Sequence, residues 1–487
     1  MTKNTLYWHD YETFGLDPAR DRPVQFAGIR TDEDLNIIGE PLNIMARPAT
    51  DTLPHPMSSL ITGITPKQAL EQGLPEDGFI TRILAELAQP GTCGVGYNSL
   101  RFDDEVTRNT LYRNLLDPYG REWQNGNSRW DIIDMVRACH DLRPEGIVWP
   151  RRADADRPSF RLEELTVANG IAHEQAHDAL SDVYATIAIA RLIKDKQPRL
   201  YNFLYRLRRK KEVLKHIDLK GMTPILHTSG MYGSDNGNTR LVVPVAAHPS
   251  NSNSNIVFDL AQDPALLLDL GTKTLRERLY AATEDLPEGV ERPALKQLLV
   301  NKCPVIAPTS TLTGDAAKRL RIDLVTGMRN RQTLLHARKA LQQKIARLFE
   351  PREFEPVTDP DLMIYAGGFF NDSDKALMNR IHDTDPQTLG AQSWGFVDKR
   401  LPEMLFRYRA RNYPETLGAD EQAQWLEHCR ARLVDGESGH FTFQDLHAEI
   451  ERLRAQMAVD DPKTRLLDEV AAFGAQLESF VRGEINE

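Results

Sequence analysis

The stretch Trp8–Gly15, W-H-D-Y-E-T-F-G, places two carboxylates, Asp10 and Glu12, two residues apart. The residues before them, Thr5-Leu6-Tyr7-Trp8, are β-branched and aromatic, a composition that predicts a strand. Residues i and i+2 of a strand share one face, so Asp10 and Glu12 stand side by side at a strand end. Adjacent carboxylates repel and raise each other's pKa, a cost that a cation between them removes. Hard divalent ions such as Mg²⁺ take oxygen ligands of this kind. A D-x-E pair is also common in solvated turns, so further acids and a base must appear later in the chain for the pair to mean chemistry.

The 487 residues suffice for about three domains. Apolar residues make up 41% and charged residues 27%, a globular composition. The cysteines, Cys93, Cys139, Cys303 and Cys429, are scattered with no C-x-x-C pair, which argues against a zinc site or a disulfide framework. The first residues lack the apolar core of a signal peptide, and no run reaches transmembrane length, so a cytoplasmic protein with no membrane partner is expected. A net charge of −10 argues against bulk coating of nucleic acid but not against a local basic groove.

Along the chain, strands are expected at Val24–Thr31 and Ile37–Ala46, completing a meander with the first. Thr65-Pro66 reads as a helix start, a helix follows at Phe79–Leu87, and Thr92–Asn98 is a short buried strand. Asp103 falls at the junction with a helix running to about Leu116. Ser128–Ile133 is expected to open another helix, and Ser159 to cap the next. His177 lies just ahead of a long helix, and Asp182 within its first turns, off the stripe of Leu180, Val183, Ile187 and Ala190. Boundaries drawn from composition give domains at 1–196, 197–350 and 351–487: a mixed sheet with helices, a β-rich domain and a helical C-terminal domain. Arg199–Lys220 interleaves arginines with Tyr201, Phe203 and Tyr205, and Arg407–Arg411 alternates arginine with tyrosine. Both are candidate walls for a nucleic-acid strand, although each also reads as an ordinary helix with a solvated basic face.

Asp10, Glu12, Asp103, His177 and Asp182, in this order and on this pattern of elements, resemble the DEDDh 3′→5′ exonucleases of ribonuclease-H-like fold. The motifs G-Y-N-S-L-R-F-D-D-E-V-T-R-N, N-S-R-W-D, R-P-E-G-I-x-W-P, P-S-F-R-L-E-x-L and A-H-D-A-x-x-D-V-Y-A-T-I-A are similar to those of the bacterial exodeoxyribonuclease I family. That resemblance covers nearly the whole chain. It implies an α/β exonuclease domain, an SH3-like domain and a helical C-terminal domain, and degradation of single-stranded DNA to 5′-mononucleotides in DNA repair and recombination. It also implies two Mg²⁺ ions per site, with Mn²⁺ as a substitute, about 3.5–4 Å apart across the scissile phosphate. On it, Asp10 bridges both ions, Glu12 and Asp182 complete one shell, Asp103 holds the second ion, and His177 is the general base. Arg161 is implied as a substrate contact, and Glu12 as a contact to the terminal nucleotide. Thr13 and Phe14, next to the metal pair, are expected at the 3′ end, and Asn98, Phe102, Arg108 and Arg113 along the strand. A monomer that docks the acidic C-terminal tail of single-stranded DNA-binding protein is expected. The rival readings are an RNA 3′-exonuclease, since nothing in the motif reads a 2′-OH, and a non-enzymatic strand-binding protein.

Overall fold

A computed structural model describes residues 4–152, 157–172, 178–282, 284–351, 355–458 and 461–484. The chain divides into two compact units, one formed by residues within 1–128, 173–184 and 355–487, the other by residues within 129–172 and 185–354.

The first unit is built on strands β1 (Thr5–Thr13), β2 (Pro23–Thr31), β3 (Leu42–Met45) and β4 (Thr92–Gly96), which lie side by side in the order β3-β2-β1-β4. β1 pairs antiparallel with β2 and parallel with β4, so the sheet is mixed. One face buries Tyr7, Tyr11 and Phe26 against Phe79, Ile80 and Ile83 of the helix Glu76–Leu87 and against Val106 and Leu111 of the helix Asp103–Arg113. The expected strand Ile37–Ala46 is regular only over Leu42–Met45. Gly39, at a φ of 92°, and Pro41, which has no N–H to donate, interrupt the ladder before it. Thr65 caps its helix as its sequence predicts, its Oγ1 accepting from Gln68 N at 3.3 Å. Between residues 355 and 484 the long elements are helices, including Leu401–Asn412, Ala419–Leu433, Phe443–Arg454 and Thr464–Arg482.

Two expectations fail at element starts. Ser128–Asp131 is a strand, β5, and the helix begins only at Ile133, whose N–H is bonded by the Asp131 carboxylate at 3.0 Å. A short acid that bonds the backbone two residues on starts a helix after itself rather than within it. Ser159 similarly accepts from Arg161 N at 3.4 Å, and its helix runs from Leu162 to Ala168.

The second unit carries an antiparallel sheet ordered β10-β6-β7-β8-β9, from β6 (Ile225–Thr228), β7 (Thr239–Ala247), β8 (Ser254–Asp259), β9 (Leu295–Leu299) and β10 (Val305–Pro308). Val243, Val245, Ile256 and Phe258 pack there against Leu334, Leu341 and Ile345 of two helices. Among the described residues, no helix is long and apolar enough to cross a membrane.

Candidate active site

Strand alternation sends Tyr11 into the core, where its hydroxyl accepts from Thr107 Oγ1 at 3.0 Å, and leaves Asp10 and Glu12 half-buried on the opposite face. The helix Ala179–Lys196 brings Asp182 to them, and one carboxylate oxygen from each of the three lies within 4.8 Å of the others. Asp178 caps that helix, accepting from Ser181 N at 3.1 Å. Gln25 on β2, directly opposite Glu12, holds the cap in place. Its side-chain amide donates to Asp178 Oδ1 at 3.1 Å and accepts from Ala179 N at 3.4 Å. The strand pair that carries Glu12 therefore also registers the helix that carries Asp182.

The electrostatics follow from crowding. Burial, then Asp103, Glu12 and Asp182, push the Asp10 carboxyl well above its ordinary range. Burial, then Asp182, Asp103 and Asp178, push Glu12 up to about 8. A set of converging carboxylate oxygens that repel one another fits a hard divalent cation, whose charge would return them to the ionised form.

Asp103 is not one of the three convergent ligands but lies close enough to raise Asp10 and Glu12, and it accepts from Tyr11 N at 3.1 Å. It is the first residue of its helix, where the dipole favours an acid. His177 lies outside the described residues. Arg161 is exposed in the second unit, with Glu164 at 3.5 Å. Asn98 occupies the left-handed region beyond β4, at a φ of 62°, and Phe102 immediately precedes Asp103 at the edge of the core.

Other expected contacts are turned inward. Phe14 is buried with Val24, Ile64 and Ala69, its N–H bonded to Arg22 O and its carbonyl to His55 N, so its ring is a core group and not an end-stacking one. Thr13 spends its hydroxyl on Gly15 O at 2.6 Å. Arg113, 2% exposed, is clamped to Glu76 at 2.7–2.8 Å and ties two helices together rather than meeting a strand. Arg108 is buried in a bidentate pair with Glu122 at 2.7 Å and also reaches Glu105. Arg407, Arg409 and Arg411 are no channel wall either: they pair with Asp359, Asp361, Glu403, Glu421 and Asp51 inside the first unit. In the segment 199–220, Tyr201 and Leu204 are core residues, with Tyr201 against Trp130.

The reading of the sequence missed a cluster of aromatic residues beside the helix that starts at Asp103. Tyr119 stacks edge-on against Phe369, with ring centroids 5.7 Å apart, and Arg108 lies over Tyr119 at 5.4 Å. Tyr365 bonds both Arg108 and Glu105. Phe369 is 82% exposed and Trp123 67%. Exposed aromatic rings offer π-faces of the kind on which unpaired bases stack. Phe369 follows a Gly-Gly pair and Trp123 sits among polar residues, which are local hints of an exposed ring, but only the fold joins the two segments.

Three family models match the chain: "Exonuclease" over residues 7–190, "Exonuclease I SH3-like domain" over 208–351 and "Exonuclease I C-terminal domain" over 358–477. Exodeoxyribonuclease I of Escherichia coli (strain K12) is 47% identical over 465 residues, 96% of each chain. The exonuclease I structure from Methylocaldum szegediense superposes with a TM-score of 0.93 at 49% identity, covering 97% of this chain and 99% of that one. The zinc-ion-bound form of the E. coli exonuclease I–single-stranded DNA complex does so with a TM-score of 0.93 at 46% identity, covering 98% and 100%. Similarity of this extent, spanning the carboxylate cluster and both companion domains, places the chain in the exodeoxyribonuclease I family.

Proposed function

We propose that this protein removes 5′-mononucleotides from the 3′ end of single-stranded DNA by metal-assisted phosphodiester hydrolysis, in DNA repair and recombination. The observation that carries this reading is the convergence of Asp10, Glu12 and Asp182 in a chain of this family. These three residues, with Asp103 beside them, would hold Mg²⁺, or Mn²⁺ in its place. When bound, such ions supply charge that acidifies water and stabilises the leaving 3′-oxygen.

The chain's own groups do the rest. His177 takes the proton of the attacking water, a role that needs a group titrating near neutrality. Arg161 contacts the strand, and Glu12 meets the terminal nucleotide. Tyr119, Trp123 and Phe369 stack bases behind the reacting end. The limits 1–196, 197–350 and 351–487 are the domain division we adopt, and the spans of the three family models support it. The protein works as a cytoplasmic monomer and docks the acidic tail of single-stranded DNA-binding protein. A cavity of about 550 Å³ in the second unit supports that partner, since it sets Arg143 and Arg199 beside Leu200, Phe203 and Pro308.

The test is a time course with Mg²⁺ on a 5′-labelled single strand. A ladder of shortening labelled products is expected, lost in Asp10→Ala while strand binding persists. Immediate release of labelled mononucleotide would reverse the polarity, unchanged cleavage by Asp10→Ala would remove the site, and equal hydrolysis of a matched RNA would favour the RNA rival.

A further inference from the structure

The loop that follows Glu12 is held by residues from the far end of the chain. β1 ends at Thr13, where its pairing with β2 shifts register, and the chain re-enters the sheet at Pro23. Within the loop, Asp17 N donates to Asp21 Oδ2 at 2.7 Å, and a Cβ on Gly15 would come within 2.1 Å of that same oxygen, so only glycine lets the two sides close. Leu16, four residues past Glu12, is 86% exposed at the tip.

Two ties run outward from this loop. Arg20 Nε donates to the carbonyl of Ser438, 418 positions away, at 2.8 Å, while its Nη1 pairs with Asp17 at 2.6 Å. Arg22 Nη2 reaches Asp51 Oδ2 at 3.4 Å, and the same oxygen accepts from Arg411 and Arg432 at 2.8 and 2.7 Å. Arg22 also fixes Phe14 through the backbone, its carbonyl accepting from Phe14 N at 2.9 Å. The helical part of the first unit thus grips the connector beside the carboxylates. Bulges and held loops next to a reaction centre aim the groups around it, and binding sites gain most from ordering that is complete before the ligand arrives.

We propose that Arg20 and Arg22 are positioning residues of the exonuclease reaction: through them the C-terminal helices set the Gly15–Asp21 loop, and with it the seat of the 3′-terminal nucleotide against Asp10 and Glu12. This rests on the 3′-exonuclease reading above. It assigns the C-terminal segment a part in the chemical step in addition to any part in holding the strand.

Arg20 is half-buried and its replacement leaves the ionic cluster around Asp51 intact, so Arg20→Ala in the full-length chain is the informative variant. Removal of the first nucleotide is followed in a single turnover at saturating strand, alongside strand affinity and amide hydrogen exchange of the metal-free protein. The expected result is strand affinity within about twofold of the parent and a single-turnover rate about ten- to a hundredfold lower. Exchange should be faster over residues 15–21 but not over the rest of β1 and β2, and Arg20→Lys, which can still donate to Ser438, should recover most of the rate. A parent-like rate overturns the proposal, whether or not exchange changes. So does a slower rate accompanied by faster exchange throughout the unit, which would mark a purely structural role. A parent chain that removes no nucleotide defeats the exonuclease reading itself, and this proposal with it.

Discussion

Arg432 donates to Asp51 at 2.7 Å across 381 positions of chain, and both side chains are buried. Asp51 also receives Arg411 and Arg22, and Asp361 gathers Arg407, Arg411 and Arg432 around a second buried acid. Burial alone would raise both carboxyls, but Arg411 and its neighbouring guanidiniums hold each well below the usual carboxylate range. Removing one member of such a cluster strands the others in a medium that cannot solvate them. Asp51→Ala is expected to destabilise the first unit by about 3–5 kcal/mol, read as a lowered urea midpoint. A change within experimental scatter would mean that water already solvates these guanidiniums.

Glu76 makes a pH-dependent contribution. Burial raises it, but Arg113 and Arg22 pull it down to about 2 from an ordinary 4.5. A carboxyl depressed in the folded state adds stability above its unfolded value and loses it as pH falls through the folded one. The effect is therefore fully present above pH 4.5 and gone near pH 2, and is worth roughly 3 kcal/mol. Glu76→Gln should flatten stability against pH across that window, as measured by denaturant titration at each pH.

Glu12 works in the opposite sense. Its carboxyl is raised to about 8 by burial and by Asp182, Asp103 and Asp178, so without metal the folded chain binds a proton there that the unfolded chain releases near 4.5. Metal-free stability should therefore fall as pH rises from 4.5 to 8, and added Mg²⁺ should reverse the fall. Calorimetry in buffers of different ionisation enthalpy should register protons released on metal binding at pH 7. Glu12→Gln should raise the metal-free melting temperature at pH 8 while weakening metal binding.

The aromatic cluster makes a separate prediction for affinity. Trp123→Ala and Phe369→Ala change exposed rings and should leave folding intact, yet each should weaken binding of an unpaired strand by about 1–3 kcal/mol. Fluorescence anisotropy on metal-free protein would report this. Arg113→Met, in contrast, should cost stability and leave affinity unchanged, because its guanidinium belongs to Glu76.

The sequence by itself determined what depends on short-range geometry. The two-residue period of a strand put Asp10 and Glu12 on one face, the cap and first-turn spacing placed Asp182 at the start of its helix, and the Thr65-Pro66 pair opened a helix where it stands. Steric rules of that kind act over a few bonds, so a few residues suffice to state them. What the arginines do was decided only by the tertiary structure. Arg108, Arg113, Arg407 and Arg411 look in sequence like contacts for a polyanion, yet each faces acids on other elements: Glu122, Glu76, Asp359 and Asp51. Gln25, which docks the Asp182 helix on the sheet, and the meeting of Tyr119 with Phe369 were equally invisible. The physical reason is the same for all of these residues. A charge or a ring takes its role from whatever the fold brings within a few ångströms of it, and in this protein those neighbours come from up to 418 positions away.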